Sequence, residues 1–249
     1  LFRFLAGKYT ESTAWLATPR ARLFQQYERR VLQRILPRMT GYRCVQIGSW
    51  GNDRCALQSA GTLCHWQLGF GDESPADIRF DGRHLPLASA SVDAIVVAHG
   101  LERVAQPHAL LRECARVLNA RGQLVILAFN PLSLWALRQG MPSHRHPTFR
   151  PCSAPPSASR LCDWLRLLEF EPEQLWRYGL GFPFFGGAHE VAQGSRWARC
   201  VGWSAQSYAV VARRHVAPRT RIGRPVRARH TRPAAGLARH SSGRVICRR

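Results

Sequence analysis

Two short apolar runs rich in β-branched residues, Ala94 to Ala98 (AIVVA) and Gln123 to Phe129 (QLVILAF), read as strands buried on both faces. Between them Pro107 opens a helix whose apolar residues Leu110, Leu111, Cys114, Val117 and Leu118 recur at helical spacing. Gly122 stands where that helix should stop. Strand, helix and strand running in one direction make a right-handed crossover, and so part of a parallel sheet. Upstream, Thr18-Pro19 signals a helix start, with a capping hydroxyl followed by proline at the first helical position. That helix runs to about Leu36 and should bury Leu23, Tyr27, Val31 and Ile35. Arg43 to Ile47 reads as the first strand, ending at Gly48, and Cys64 to Leu68 as the second. Residues 139–157 form a loop rich in Pro, Ser, His and Arg, and Ser159 to Leu168 an amphipathic helix.

A further set of short motifs lies at ordered spacing between Asp81 and Phe129. It comprises Asp81, the turn Leu85-Pro86-Leu87, Ser91-Val92-Asp93, His99 through Val104, Leu111-Arg112-Glu113, Arg116-Val117-Leu118 and Gly122. This run resembles the second half of the class I S-adenosylmethionine-dependent methyltransferase domain, of the small-molecule type that includes the ubiquinone and menaquinone C-methyltransferases. Residues 130–138 (NPLSLWALR) further resemble a poorly characterised bacterial subgroup, and weaker similarity extends over residues 14–213. The resemblance implies an α/β fold, a Rossmann-like doubly wound, mainly parallel seven-stranded sheet with an antiparallel last strand. Gln174 to Tyr178 and Ser207 to Ala212 then fit the hairpin that closes such a sheet. The aromatic, Gly-rich segment between them, residues 181–187 (GFPFFGG), is expected beside the substrate mouth. The expected domain spans residues 18–212, after an extension over 1–17 and before a basic tail over 213–249.

The cofactor so implied is S-adenosyl-L-methionine, bound at the carboxyl ends of the strands near the point where strand order reverses. The family places an acid on the first strand and then a G-x-G-x-G loop, where glycine lets the backbone approach the cofactor closely. Residues 45–53 here read VQIGSWGND. Gln46 stands where the acid belongs, Gly48 is in place, Trp50 and Asn52 replace the later glycines, and Gly51 is available to a shifted loop. Gln46 lacks the negative charge that would meet the cofactor's ammonium. The second strand normally ends in an acid for the ribose hydroxyls, whereas Gln67-Leu68-Gly69-Phe70-Gly71 brings Asp72 or Glu73 late. By the same resemblance Asp81 accepts from the adenine amine while the next amide, at Gly82, reads the ring. His99 lines the pocket after the fourth strand; it is either a neutral imidazole that orients or deprotonates an acceptor, or a packing residue.

Other residues narrow the class. Asn130-Pro131 resembles half of the Asn-Pro-Pro-Tyr box of amino-methylating enzymes, but it follows the fifth strand and not the fourth. That position argues against such an activity, although Asn130 remains a candidate for the pocket rim. Glu102 and Arg103 suit a local pair, and Trp135 and Trp164 suit the core. No catalytic side chain is assigned, because methyl transfer to an ionised acceptor rests mainly on proximity.

With 249 residues, 45% of them apolar, there is chain enough for one full-sized core. The opening LFRFLAGKYTE is too short in apolar length for a signal peptide, and no window reaches the ~18 apolar residues of a membrane span. The eight cysteines form no C-x-x-C pair and match no zinc spacing, so no metal is expected and they read as reduced thiols of a cytoplasmic protein. Charge is uneven. Residues 213–249 hold twelve Arg and no acid, and supply +12 of the net +21. This tail is too polar to offset its ordering entropy and is expected to be disordered. It is either a nucleic-acid or anionic-surface tether or simply a solvated tail. The functional expectation is a methyltransferase for an unidentified small-molecule or lipid-like acceptor. The alternatives are a degenerate fold with a binding role and an RNA-directed methyltransferase.

Overall fold

A computed structural model of the chain describes residues 19–48, 57, 59–70, 76–133, 136, 153–179 and 205–215. Helix α1 (Pro19–Ile35) continues into a 3₁₀ turn (Leu36–Arg38) and leads to β1 (Thr40–Ile47). Next come β2 (Gly61–Phe70), β3 (Ile78–Phe80), β4 (Val92–Ala98), α2 (Pro107–Val117) and β5 (Leu118–Phe129). Helix α3 (Ala158–Leu167), β6 (Phe170–Tyr178) and β7 (Ser207–Arg214) complete the described elements. The seven strands form one sheet in the order β3-β2-β1-β4-β5-β7-β6. Neighbours from β3 through β5 are parallel. Strand β7 runs antiparallel to both β5 and β6. This is the doubly wound, mainly parallel sheet with an antiparallel last strand that the motifs implied.

Alternation along the strands divides the core in two, since successive side chains point to opposite faces. Val45, Ile47, Ile95, Val97, Leu124 and Ile126 pack with Leu110, Leu111 and Cys114 of α2 and with Leu161 and Leu165 of α3. On the opposite face Cys44, Ala94, Val96, Val125 and Leu127 pack with Phe24, Val31, Leu32 and Ile35 of α1. Both faces of the central strands are therefore covered, which explains their uninterrupted apolar sequence. Pro107 does occupy the start of α2, where its missing N–H leaves no helical bond unmade.

The structure corrects three details. Helix α2 ends at Val117, and Gly122 lies inside β5 instead of terminating the helix. The pairing of β4 with β5 shifts between Val92 and Ala94. A Cβ on Gly122 would there sit 3.2 Å from the Asp93 carbonyl oxygen and 2.6 Å from Leu118 Cδ2, so close approach accounts for the glycine. On α1, Val31 and Ile35 are buried as expected, but Tyr27 is only half-buried and Glu28 beside it is buried. Strand β7 extends through Arg214, past the strand end expected at Ala212. Arg213 donates to Glu173 at 2.8 Å, and Arg214 donates to the Leu118 carbonyl. Leu23's side chain, Thr18 and residues 216–249 lie outside the described residues.

Candidate cofactor site

Strand order reverses between β1 and β4, so the crevice of this sheet opens at their carboxyl ends. Gly48 ends β1 with φ +86°, and its N–H donates to the Leu68 carbonyl at 2.8 Å. A Cβ there would meet the Ala98 carbonyl oxygen at 2.7 Å, so only glycine fits between the two strand ends. Gln46, 5% exposed, donates its side-chain amide to the Gly48 carbonyl at 3.0 Å. A carboxylate has no proton for that bond, which gives the glutamine a structural role in holding the β1 turn. Trp50, Gly51 and Asn52 lie outside the described residues, as do Asp72, Glu73, Trp135 and residues 181–187.

Across the crevice, Asp81 is exposed just after β3. Its Oδ1 accepts from the backbone N–H groups of Arg83 at 2.9 Å and His84 at 3.3 Å. The Arg83 bond is the main reason its carboxyl sits below the ordinary value, outweighing slight desolvation, with the His84 N–H helping. Asp81 is thus an ionised acceptor whose second oxygen has no hydrogen-bond partner among the described residues. Gly82 follows in a left-handed conformation, φ +81°, buried against Val104. Asp81, Gly82, Gly48 and Gln46 therefore come to the same end of the sheet. The turn beyond them is braced by α2. Arg116 donates to the carbonyls of Leu85 at 3.0 Å and Leu87 at 2.9 Å, while Glu113 accepts from the Leu85 N–H at 2.9 Å.

His99 caps β4 with φ +49°, a conformation uncommon for any residue but glycine. Its side chain is 0% exposed and turned toward α1. Nε2 lies 2.6 Å from Glu28 Oε1, and Nδ1 lies 3.4 Å from Glu102 Oε1. The Glu28 oxygen also accepts from the Tyr178 hydroxyl at 2.9 Å, and Glu102 Oε1 from the Phe129 N–H at 2.7 Å. Rings of Phe129 and Phe24 lie against the imidazole. Burial alone would lower its pKa, but the Glu28 charge and the bonds to both glutamates prevail and raise it from 6.5 to about 9. The imidazole is consequently protonated, donating to Glu28 and ion-paired with Glu102, which does not fit the neutral proton acceptor considered from sequence. Glu102 is anchored on His99 and the Phe129 N–H, not in the local pair with Arg103 that its position suggested.

Asn130 is buried at the end of β5, where Nδ2 donates to the Ala205 carbonyl at 2.9 Å and Oδ1 accepts from the Leu132 N–H at 3.1 Å. Its amide shapes the loop and joins it to the start of β7. Trp164 packs half-buried against the core, as expected. Sequence reasoning missed Glu28, Tyr178 and Phe70. Glu28 carried a legible signal, an acid in the helical phase of Phe24, Val31 and Leu32. Among the described residues no group of His, Cys, Asp and Glu is arranged to hold a metal, and no helix is long and apolar enough to cross a membrane.

Comparison with known proteins extends the picture. Residues 62–126 match a family model described as a methyltransferase domain. An uncharacterised protein of Escherichia coli K12, YafS, is 35% identical over 158 residues, covering 63% of this chain and 64% of that one. The chain thus spans somewhat under two thirds of that relative's length. The demethylmenaquinone methyltransferase of Thermotoga maritima is 45% identical over 51 residues, 20% of this chain and 22% of that enzyme. Among solved structures, a Haloferax volcanii protein in complex with the Trm112 methyltransferase activator superposes with a TM-score of 0.52 at 14% identity. That match covers 83% of this chain and 98% of the other. A Listeria monocytogenes protein assigned as an S-adenosylmethionine-dependent methyltransferase gives 0.50 at 10% identity, covering 75% and 96%. At such identities the structures speak for the fold.

Proposed function

We propose that the chain is a class I S-adenosylmethionine-dependent methyltransferase that binds S-adenosyl-L-methionine in the β1–β4 crevice and methylates a small or lipid-like acceptor, a reading supported by the methyltransferase-domain match over residues 62–126. The observation that carries the reading is the Asp81–Gly82 turn. It offers an ionised, half-satisfied carboxylate and a glycine backbone together, opposite the Gly48 turn of β1. The residues suit the nucleoside end of the cofactor in three respects. Asp81 supplies an acceptor for an exocyclic amine, the Gly82 amide lies beside it, and Gly48 admits close backbone approach. The methionine end falls on the side of Gln46, where a neutral amide stands in place of the family's acid. His99 serves this site by fixing the strand end and α1, and its buried side chain holds them in register.

The cofactor supplies an electrophilic sulfonium methyl. The chain's task is to hold the acceptor in line with it and to exclude water, a positioning role that needs no general base when the acceptor is already ionised. Calorimetric titration with S-adenosylhomocysteine tests the reading. One-to-one binding that weakens in Asp81→Ala supports it, and no heat from a folded sample at millimolar ligand overturns it. A second reading, a methyltransferase fold with a binding role and no catalysis, is favoured by Gln46 at the acid position and by the phenyl ring at the end of β2. It predicts that second result.

A further inference from the structure

Phe70 is the last residue of β2, at the strand end where the family usually carries its ribose-binding acid. Its ring is 4% exposed and rests on Phe80, with centroids 4.9 Å apart. Three glycines from three different strand ends border that ring. A Cβ built on Gly48 would lie 3.4 Å from Phe70 Cε2, and one on Gly100 would lie 3.3 Å from Cζ. On Gly82 it would lie 3.6 Å from Cδ1 and 3.7 Å from Cε1. The rim of the phenyl, from Cδ1 round through Cζ to Cε2, thus abuts bare backbone after β3, β4 and β1 in turn. Bare backbone at these three places leaves room beside the strand ends for a flat ring. The chain fills it with its own ring.

We propose that Phe70 is an internal plug of the nucleoside cradle, so that S-adenosylmethionine binds only when the phenyl ring has swung away from Gly48, Gly82 and Gly100. This rests on the reading of the crevice as a cofactor site. A phenyl ring and the six-membered ring of adenine are similar in size and both flat, so the cradle holds one or the other. Phe70 is the last residue of β2, so its ring sits where the ladder stops, and a glycine follows it in sequence. When the competent form is a fraction of the population, apparent affinity is reduced by that fraction. Phe70 thereby sets how much cofactor the protein holds at a given concentration.

The test is calorimetric titration of the full chain with S-adenosylhomocysteine, comparing wild type with Phe70→Ala and Phe70→Leu, each verified as folded by circular dichroism. The plug predicts that Phe70→Ala tightens binding on the order of tenfold, with Phe70→Leu in between. Phe70→Leu carries the test if the alanine variant does not fold, since it keeps apolar bulk above Phe80. Equal or weaker binding by the folded variants overturns the plug and makes the ring a floor of the site, leaving the cofactor reading intact. Absence of binding by wild type and folded variants alike overturns the cofactor reading, and the plug with it.

Discussion

Glu28 on α1 and His99 at the end of β4 meet at 2.6 Å with neither exposed to solvent, joining the first helix to the strand end that borders the β1–β4 crevice. A buried ion of either sign is costly alone. The cost is offset here by surplus partners: Glu102 on the second imidazole nitrogen and the Tyr178 hydroxyl on the same Glu28 oxygen. The cluster gathers α1, β4, the turn after it and β6 around one proton.

That proton makes stability depend on pH. The imidazole titrates near 6.5 when exposed and near 9 in the folded protein. The folded state therefore holds the proton more tightly, and the stabilisation is complete below pH 6.5 and lost as pH rises through about 9. Glu28, Glu102 and Tyr178 face the ring; burial, and then Glu28, raise the tyrosine well above its ordinary value, so it stays neutral across this window. Urea midpoints measured from below 6.5 to above 9 should fall in the wild type and lose that slope in His99→Gln. An unchanged slope in the variant would place the titration elsewhere.

Removing one member of the pair should be worse than removing the charge of both. Glu28→Gln is expected to cost about 3–5 kcal/mol, the usual penalty for stranding a buried partner. The double variant Glu28→Gln/His99→Gln should recover part of that loss. A double-mutant cycle in urea gives the coupling directly, and additive losses would show that the two side chains do not act as a unit.

What could be read from the residues follows from where the physics is local. Strands β4 and β5 are covered on both faces, so burial wrote itself into AIVVA and QLVILAF, and α2 showed its stripe because it has only one core-facing side. Strand β3, three residues long, has no room for a period. The first part of β5, Leu118 to Gly122, is polar and bulged, and its glycine imitates a helix stop. At the site, Gly48 and Asp81 were legible because backbone conformation and turn chemistry are short-range. The fate of His99 was not, since it depends on a glutamate 71 residues away and a tyrosine on β6. The ring of Phe70 was equally hidden, because its neighbours come from three separate strand ends.

The Glu113–Arg116 brace gives a further expectation. The guanidinium spans two carbonyls of the Leu85–Leu87 turn while it pairs with Glu113 at 2.8 Å. An ammonium cannot make that fork. Arg116→Lys should cost about 1–3 kcal/mol in chemical denaturation, in line with lost hydrogen bonds to a charged donor. It should also weaken S-adenosylhomocysteine binding, because the turn it braces follows Asp81. Wild-type stability in this variant would mean that Glu113 alone holds the turn.

The described cysteines should differ sharply in reactivity. Burial pushes the Cys44 and Cys114 thiols up to about 12, so almost no thiolate is present at neutral pH. Cys64 and Cys162 are half-buried. Alkylation of the native protein followed by peptide mapping should label Cys64 before Cys44 and Cys114, and the latter two only on unfolding. Early labelling of Cys114 would show that α2 opens locally.

Asp81 separates binding from folding most cleanly. It is exposed, and an asparagine can keep Oδ1 as the acceptor for Arg83 and His84, so Asp81→Asn should hold the turn and leave stability within about 0.5 kcal/mol of wild type. What it removes is charge. A hydrogen bond to an ionised acceptor is worth about 1.5–3 kcal/mol, and each 1.4 kcal/mol is roughly tenfold in affinity. S-adenosylhomocysteine should therefore bind tenfold or more weakly to Asp81→Asn at unchanged urea midpoint. Asp81→Ala should lose the same affinity and, in addition, some stability through the broken turn. If Asp81→Asn binds like the wild type, the carboxylate does no more than shape the loop, and the adenine amine must be met by another group.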